Sequence, residues 1–147
     1  MNISISEEVR ARCPEAALGI LQYEAQVAPS SSALLELFEH TLRELSECHT
    51  LDSIAQIPHI AATRSAYKAP HEYRNAAEAM LRRIVKSNGL YHINNVVEIN
   101  NLISVSSGYS IGSYDVSQLQ GDVILARAGE GVHYEGIGKA SVNIEYL

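Results

Sequence analysis

Hydrophobic residues recur along this chain with two different spacings. Near the N-terminus Ile3 and Ile5 alternate with polar neighbours, as do parts of the stretch from Ala17 to Val27, where Leu18, Ile20, Leu21, Tyr23 and Val27 are the bulky members. Period-two spacing lines one face of a half-buried strand, so two strands are expected there. Pro29 and the Ser30-Ser31-Ser32 cluster make a turn and offer N-cap residues for a helix. The spacing then becomes three and four. Leu34, Leu37, Phe38, Thr41, Leu42, Leu45 and Cys48 fall on one side, with Glu36, Glu39, Arg43, Glu44 and Glu47 on the other. This predicts an amphipathic helix from about Ser32 to Cys48.

Pro58 suits the first turn of a short alanine-rich helix ending near Lys68, because the N–H it lacks has no helical partner at that position. Pro70 separates that helix from the next. Beyond Arg74, Ala76, Ala77, Met80, Leu81, Ile84 and Val85 repeat at helical spacing, Glu78, Arg82, Arg83 and Lys86 face away, and Gly89 is placed to end the helix. Asn94 or Asn95 can cap a further helix running to about Val105, with Gly108 after its end. After Gly108 the pattern shortens. Apolar runs at Val123 to Ala126, Val132 to Tyr134 and Val142 to Tyr146 alternate with turns at Gly121, Gly129, Gly131, Gly136 and Gly138, the signature of antiparallel strands. Helices followed by strands give an α+β order, and 147 residues suit a single domain spanning 1–147.

No run approaches the roughly 20 apolar residues of a membrane span, and the opening residues lack a basic start followed by an apolar stretch. Cys13 and Cys48 are too few for a disulfide framework. A cytoplasmic protein without membrane association is expected. The net charge of −6 argues against a generic polyanion binder, since affinity for phosphate backbones comes largely from Lys and Arg. The charge is uneven, however. From Arg64 to His92 six basic residues (Arg64, Lys68, Arg74, Arg82, Arg83, Lys86) stand against two acidic ones (Glu72, Glu78), a net of +4; the other five basic and fifteen acidic residues leave −10 elsewhere. That asymmetry marks where an anionic partner would dock.

Candidate chemistry is otherwise sparse. The run GEGVHYEGIGK has neither the glycine spacing of a dinucleotide fold nor that of a phosphate loop. The six histidines include no pair one helical turn apart and no cysteine at ligand spacing, so no metal and no cofactor are expected. Ser107 and Ser110 flank a glycine without forming a nucleophile elbow. Asp115 and Asp122 are read as turn caps.

From Arg64 onward, an ordered set of short motifs resembles stand-alone proteins of the B3/B4 family, relatives of the tRNA-editing domain in the beta subunit of phenylalanyl-tRNA synthetase. The matching residues are R-S-A-Y (Arg64 to Tyr67), Y-R (Tyr73, Arg74), E-A-x-L-R-R (Glu78 to Arg83), I-N-x-x-V-E-I-x-N (Ile93 to Asn101), Y-D (Tyr114, Asp115), G-D (Gly121, Asp122) and G-E (Gly129, Glu130). The resemblance implies layered helices packed on a mainly antiparallel sheet, and in the synthetase hydrolysis of mischarged tRNA. Asn101 and Gly108 match the family's pocket motif, while Gly112 stands where the family carries a His. The family's glycine-rich second half would follow Leu147, so the domain is expected to be C-terminally incomplete.

These readings favour a module that binds RNA or aminoacyl-tRNA, with Arg64, Lys68, Arg74, Arg82, Arg83 and Lys86 on phosphate and Tyr67, Asn94 and Asn101 lining a pocket. The alternatives are a trans-editing hydrolase of mischarged tRNA and a protein-association domain without catalysis. Structural roles compete for the same residues. Arg64, Arg74 and Arg83 could pair with Glu72, Glu78 or Glu98, and Asn94 and Asn101 could cap or hydrogen-bond backbone. A homodimer through an open strand edge near Val142 to Tyr146 is also expected.

Overall fold

The computed structural model describes residues 1–66, 74–136 and 139–146. Its elements run β1 (Ile3–Ile5), α1 (Glu7–Arg12), α2 (Ser32–Cys48), α3 (Leu51–Ile54), α4 (Pro58–Ala66), α5 (Ala76–Val85), α6 (Asn95–Ser107), a 3-10 turn (Val116–Gln118), β2 (Val123–Leu125), β3 (His133–Gly136) and β4 (Lys139–Asn143), an α+β chain. They fall into two compact units, Gln22–Tyr114, and Met1–Leu21 with Asp115–Leu147. No helix among the described residues is long and apolar enough to cross a membrane.

In the helical unit, several helix starts satisfy a free backbone N–H with a short polar side chain. Ser31 accepts from the N–H of Leu34, Asn75 from Glu78 and Asn94 from Val97. Thr50 and Ser53 cap each other reciprocally at α3. This helix is absent from the sequence reading, because four residues are too few to show a period. The apolar stripes meet in one core of Phe38, Leu42, Ile54, Ile60, Leu81, Ile84, Leu102 and Val105.

Two helix ends differ in their chemistry. Gly108 lies at φ +79° and donates its N–H to the Ser104 carbonyl, as expected of a glycine in the left-handed region. A Cβ there would sit 2.9 Å from Ile57 Cγ2. Gly108→Ala should therefore cost more than the roughly 1–2 kcal/mol of left-handed strain, read as a lower midpoint in urea unfolding. An unchanged midpoint would contradict the close approach of Gly108 to Ile57. Helix α5 stops earlier than Gly89 suggests. Lys86 is its C-cap, and Ser87 already turns to φ +57° before Gly89 does the same.

The strand expected within Ala17 to Val27 does not form. Leu18, Ile20, Leu21, Tyr23 and Val27 are all exposed. Alternation becomes a strand only when another strand supplies the partners for its backbone groups. Here the end of the segment is tied to a helix instead: Asn95 receives the Ala28 N–H on Oδ1 at 3.1 Å and donates Nδ2 to the Gln26 carbonyl at 3.0 Å.

In the other unit β1 does form, but it pairs with β2 in parallel, Ile3 opposite Val123 and Ile5 opposite Leu125. The expectation of antiparallel pairing thus fails for β2 and holds for β3 with β4. Parallel partners so far apart in sequence leave no local turn signal. Asp122 anchors the pair by accepting from the Asn2 N–H at 2.7 Å. Asp115 caps the 3-10 turn as read, and hydrogen bonds from the Ser117 hydroxyl and then its backbone N–H hold the Asp115 carboxyl below its ordinary range. Strand β4 ends at Asn143, whose side chain accepts from the Glu145 N–H. The N–H groups of Ile144 and Tyr146 donate to the carbonyls of Val132 and Ala128, and β4 has one strand neighbour, β3, among the described residues.

Candidate nucleic-acid interface

The basic segment folds around one acid. Glu78, third residue of α5, is fully buried, and its Oε1 lies 2.7 Å from Arg64 Nη1, 2.9 Å from Arg82 Nε and 3.8 Å from Arg74 Nε. Arg82 reaches it because residues four apart share a helix face, and Arg74 reaches it from just before the N-cap Asn75. Arg64 comes from the last turn of α4. One carboxylate among three guanidinium groups leaves the cluster cationic, and its second oxygen has no hydrogen-bond partner among the described residues.

Arg83 is held differently. Its Nε donates to the Gly89 carbonyl at 3.2 Å and its Nη2 to that of Asn88 at 3.4 Å, while its guanidinium lies 4.8 Å from the centroid of the Tyr91 ring. Beside it, Arg74, Ala79, Arg82, Arg83, Lys86 and Asn88 line a cleft of about 260 Å³. Four of the six basic residues singled out in the sequence thus share one concavity. Lys68 and Tyr67 lie outside the described residues, as do Pro70, Glu72 and Gly138.

The other two sequence-derived pocket residues are not in this cleft. Asn94 commits its side-chain oxygen to capping α6 at 3.0 Å, and Asn101 sits mid-helix, half-buried. Glu98, a candidate arginine partner in the sequence, instead accepts from the Ile93 N–H at 3.1 Å and faces His92 Nδ1 at 3.2 Å. The His92 ring packs on Phe38, with its other nitrogen 3.3 Å from Glu39. Asn88 and Tyr91 were missed by the sequence reading. Only the short distance from Tyr91 to the basic run could have pointed to it. Among the described residues, no three of His, Cys, Asp and Glu converge as metal ligands.

A model of the B3/4 domain matches residues 61–146, more than half of the chain. The chain belongs to the B3/4 domain family. The name ties it to the beta subunit of phenylalanyl-tRNA synthetase, where this domain is found. No curated protein and no solved structure matches the chain significantly. The B3/4 match takes in most of α4 and all of α5 and α6, and with them the whole Glu78 cluster and the cationic cleft. Helix α2 precedes it, although Phe38 and Leu42 complete the core on which α5 and α6 pack.

A second concavity differs in character. Leu37, Thr41, Leu102, Ile103, Ser106 and Ser107 line an open apolar groove of about 440 Å³ between α2 and α6. Leu37 and Ile103 are each more than half exposed in it.

Proposed function

We propose that this B3/4 domain binds RNA, with tRNA or aminoacyl-tRNA as its class of ligand, through the cleft lined by Arg74, Arg82, Arg83 and Lys86. The observation that carries this reading is the convergence of four cations on one concave surface in a protein of net charge −6. Such a surface concentrates an anionic partner where the rest of the molecule repels it. The lining offers guanidinium, ammonium and amide groups, the chemistry of phosphate contact rather than of proton transfer. Arg64 serves the site indirectly. By holding Glu78 together with Arg82, it fixes the helix that presents the other cations.

Arg74 and Lys86 are the cations for a test, since both are exposed and neither makes an ion pair shorter than 3.8 Å among the described residues. Replacing both with Gln should weaken binding of a tRNA at least about tenfold at low salt. It should also reduce the slope of log affinity against log salt concentration by about 1.4, about 0.7 for each of the two lost contacts on single-stranded segments. Binding unaffected by salt and by both replacements would refute the reading. The result would then favour protein association, which the apolar groove between α2 and α6 supports.

A further inference from the structure

We infer that Tyr91, clamped by Arg83, is a stacking platform for an unpaired base, so that the cationic cleft takes single-stranded RNA in preference to duplex. This rests on the RNA-binding reading above and names the form of RNA that the site fits. Tyr91 follows the turn that closes α5, and 71% of its surface is exposed. An aromatic ring left in water gains from any flat apolar partner. One side of the ring is already occupied by the Arg83 guanidinium at 4.8 Å, and that guanidinium is pinned by the Asn88 and Gly89 carbonyls. The left-handed turns at Ser87 and Gly89 carry these carbonyls back toward the helix end. The ring is thus held in place before a ligand arrives, which reduces the ordering that binding must impose.

Arg83 and Asn88 also line the cleft, so the platform adjoins the cations that would hold the backbone. Phosphate-binding residues beside an exposed aromatic is the arrangement by which proteins track single strands, whose bases are free to stack on the ring. A duplex keeps its bases stacked on one another and offers such a ring nothing.

The test uses the full chain and three RNA probes of about 12 nucleotides: a single strand, its duplex, and an abasic strand with the same number of phosphates. The single strand should bind more tightly than the abasic one by about 5-fold to 150-fold, the range for one stacked base. Tyr91→Ala should remove most of that difference and leave the abasic affinity and the salt slope unchanged, while Tyr91→Phe should restore it. The chain contains no Trp. Tyr91→Trp therefore creates a single reporter whose fluorescence should be quenched by the single strand and not by the abasic one. Salt-dependent binding that Lys86→Gln weakens but Tyr91→Ala does not, with no quenching, overturns the platform and leaves the phosphate site standing. No salt-dependent binding of any probe overturns both.

Discussion

Replacing Phe38 with Ala should lower the stability of the helical unit by about 3–5 kcal/mol, the range for removing a large aromatic from a packed interior. Phe38 is fully buried, and its neighbours in the core come from α3, α4, α5 and α6 as well as α2. Its ring also contacts that of His92 at a centroid distance of 5.2 Å. Those core neighbours are all anchored on helices and cannot easily move in to refill the space, so the transfer and cavity terms should both be felt. Since a domain is typically stable by only about 5–15 kcal/mol, the variant should be largely unfolded at moderate urea concentration. Urea unfolding followed by helical circular dichroism would show this. A loss below about 1 kcal/mol would mean that α2 does not close the core.

Glu78→Ala should be nearly as damaging, for an electrostatic reason. In the native chain Oε1 stands between Arg64 at 2.7 Å and Arg82 at 2.9 Å, with Arg74 at 3.8 Å. Deleting the carboxylate leaves three guanidinium groups converging without that counter-charge. Loss of one partner from a buried pair costs about 3–5 kcal/mol. Arg64, Arg82 and Arg74 are 22%, 25% and 45% exposed, so water recovers part of that, and about 2–3 kcal/mol is the expected loss. Because the remaining repulsion is between charges that water and ions reach, added salt should restore part of the stability of Glu78→Ala. A salt-insensitive loss would point to packing alone, and Glu78→Gln, which keeps the shape, would then behave as wild type.

The difference between those two predictions bears on how much of this protein could be read from its residues. Phe38 was legible. Its place at spacings of three and four among Leu34, Leu42 and Leu45 puts it in an apolar stripe, and α2 runs from Ser32 to Cys48 as that stripe predicts. The same holds for the caps at Asn94 and Gly108 and for the proline at the start of α4, since each depends on backbone chemistry within one helical turn. Even the Glu78–Arg82 pair is helix spacing within α5. Arg64, by contrast, reaches Glu78 from another helix, and nothing local distinguished that partner from Glu72 or Glu98.

Strands were harder to read than helices for the same reason. The alternation in Ala17 to Val27 and that of Ile3 and Ile5 look alike as sequence, yet only the second became a strand. Its partner is Val123–Leu125, near the far end of the chain, and the first has none among the described residues. A helix closes its hydrogen bonds within four residues, so periodicity and capping along this chain were sufficient to place α2, α5 and α6. Strand pairing, ion-pair partners and the meeting of Arg83 with Tyr91 beside the cationic cleft depend on residues brought together by the packing of whole elements. Those relations came into being only when the chain was folded.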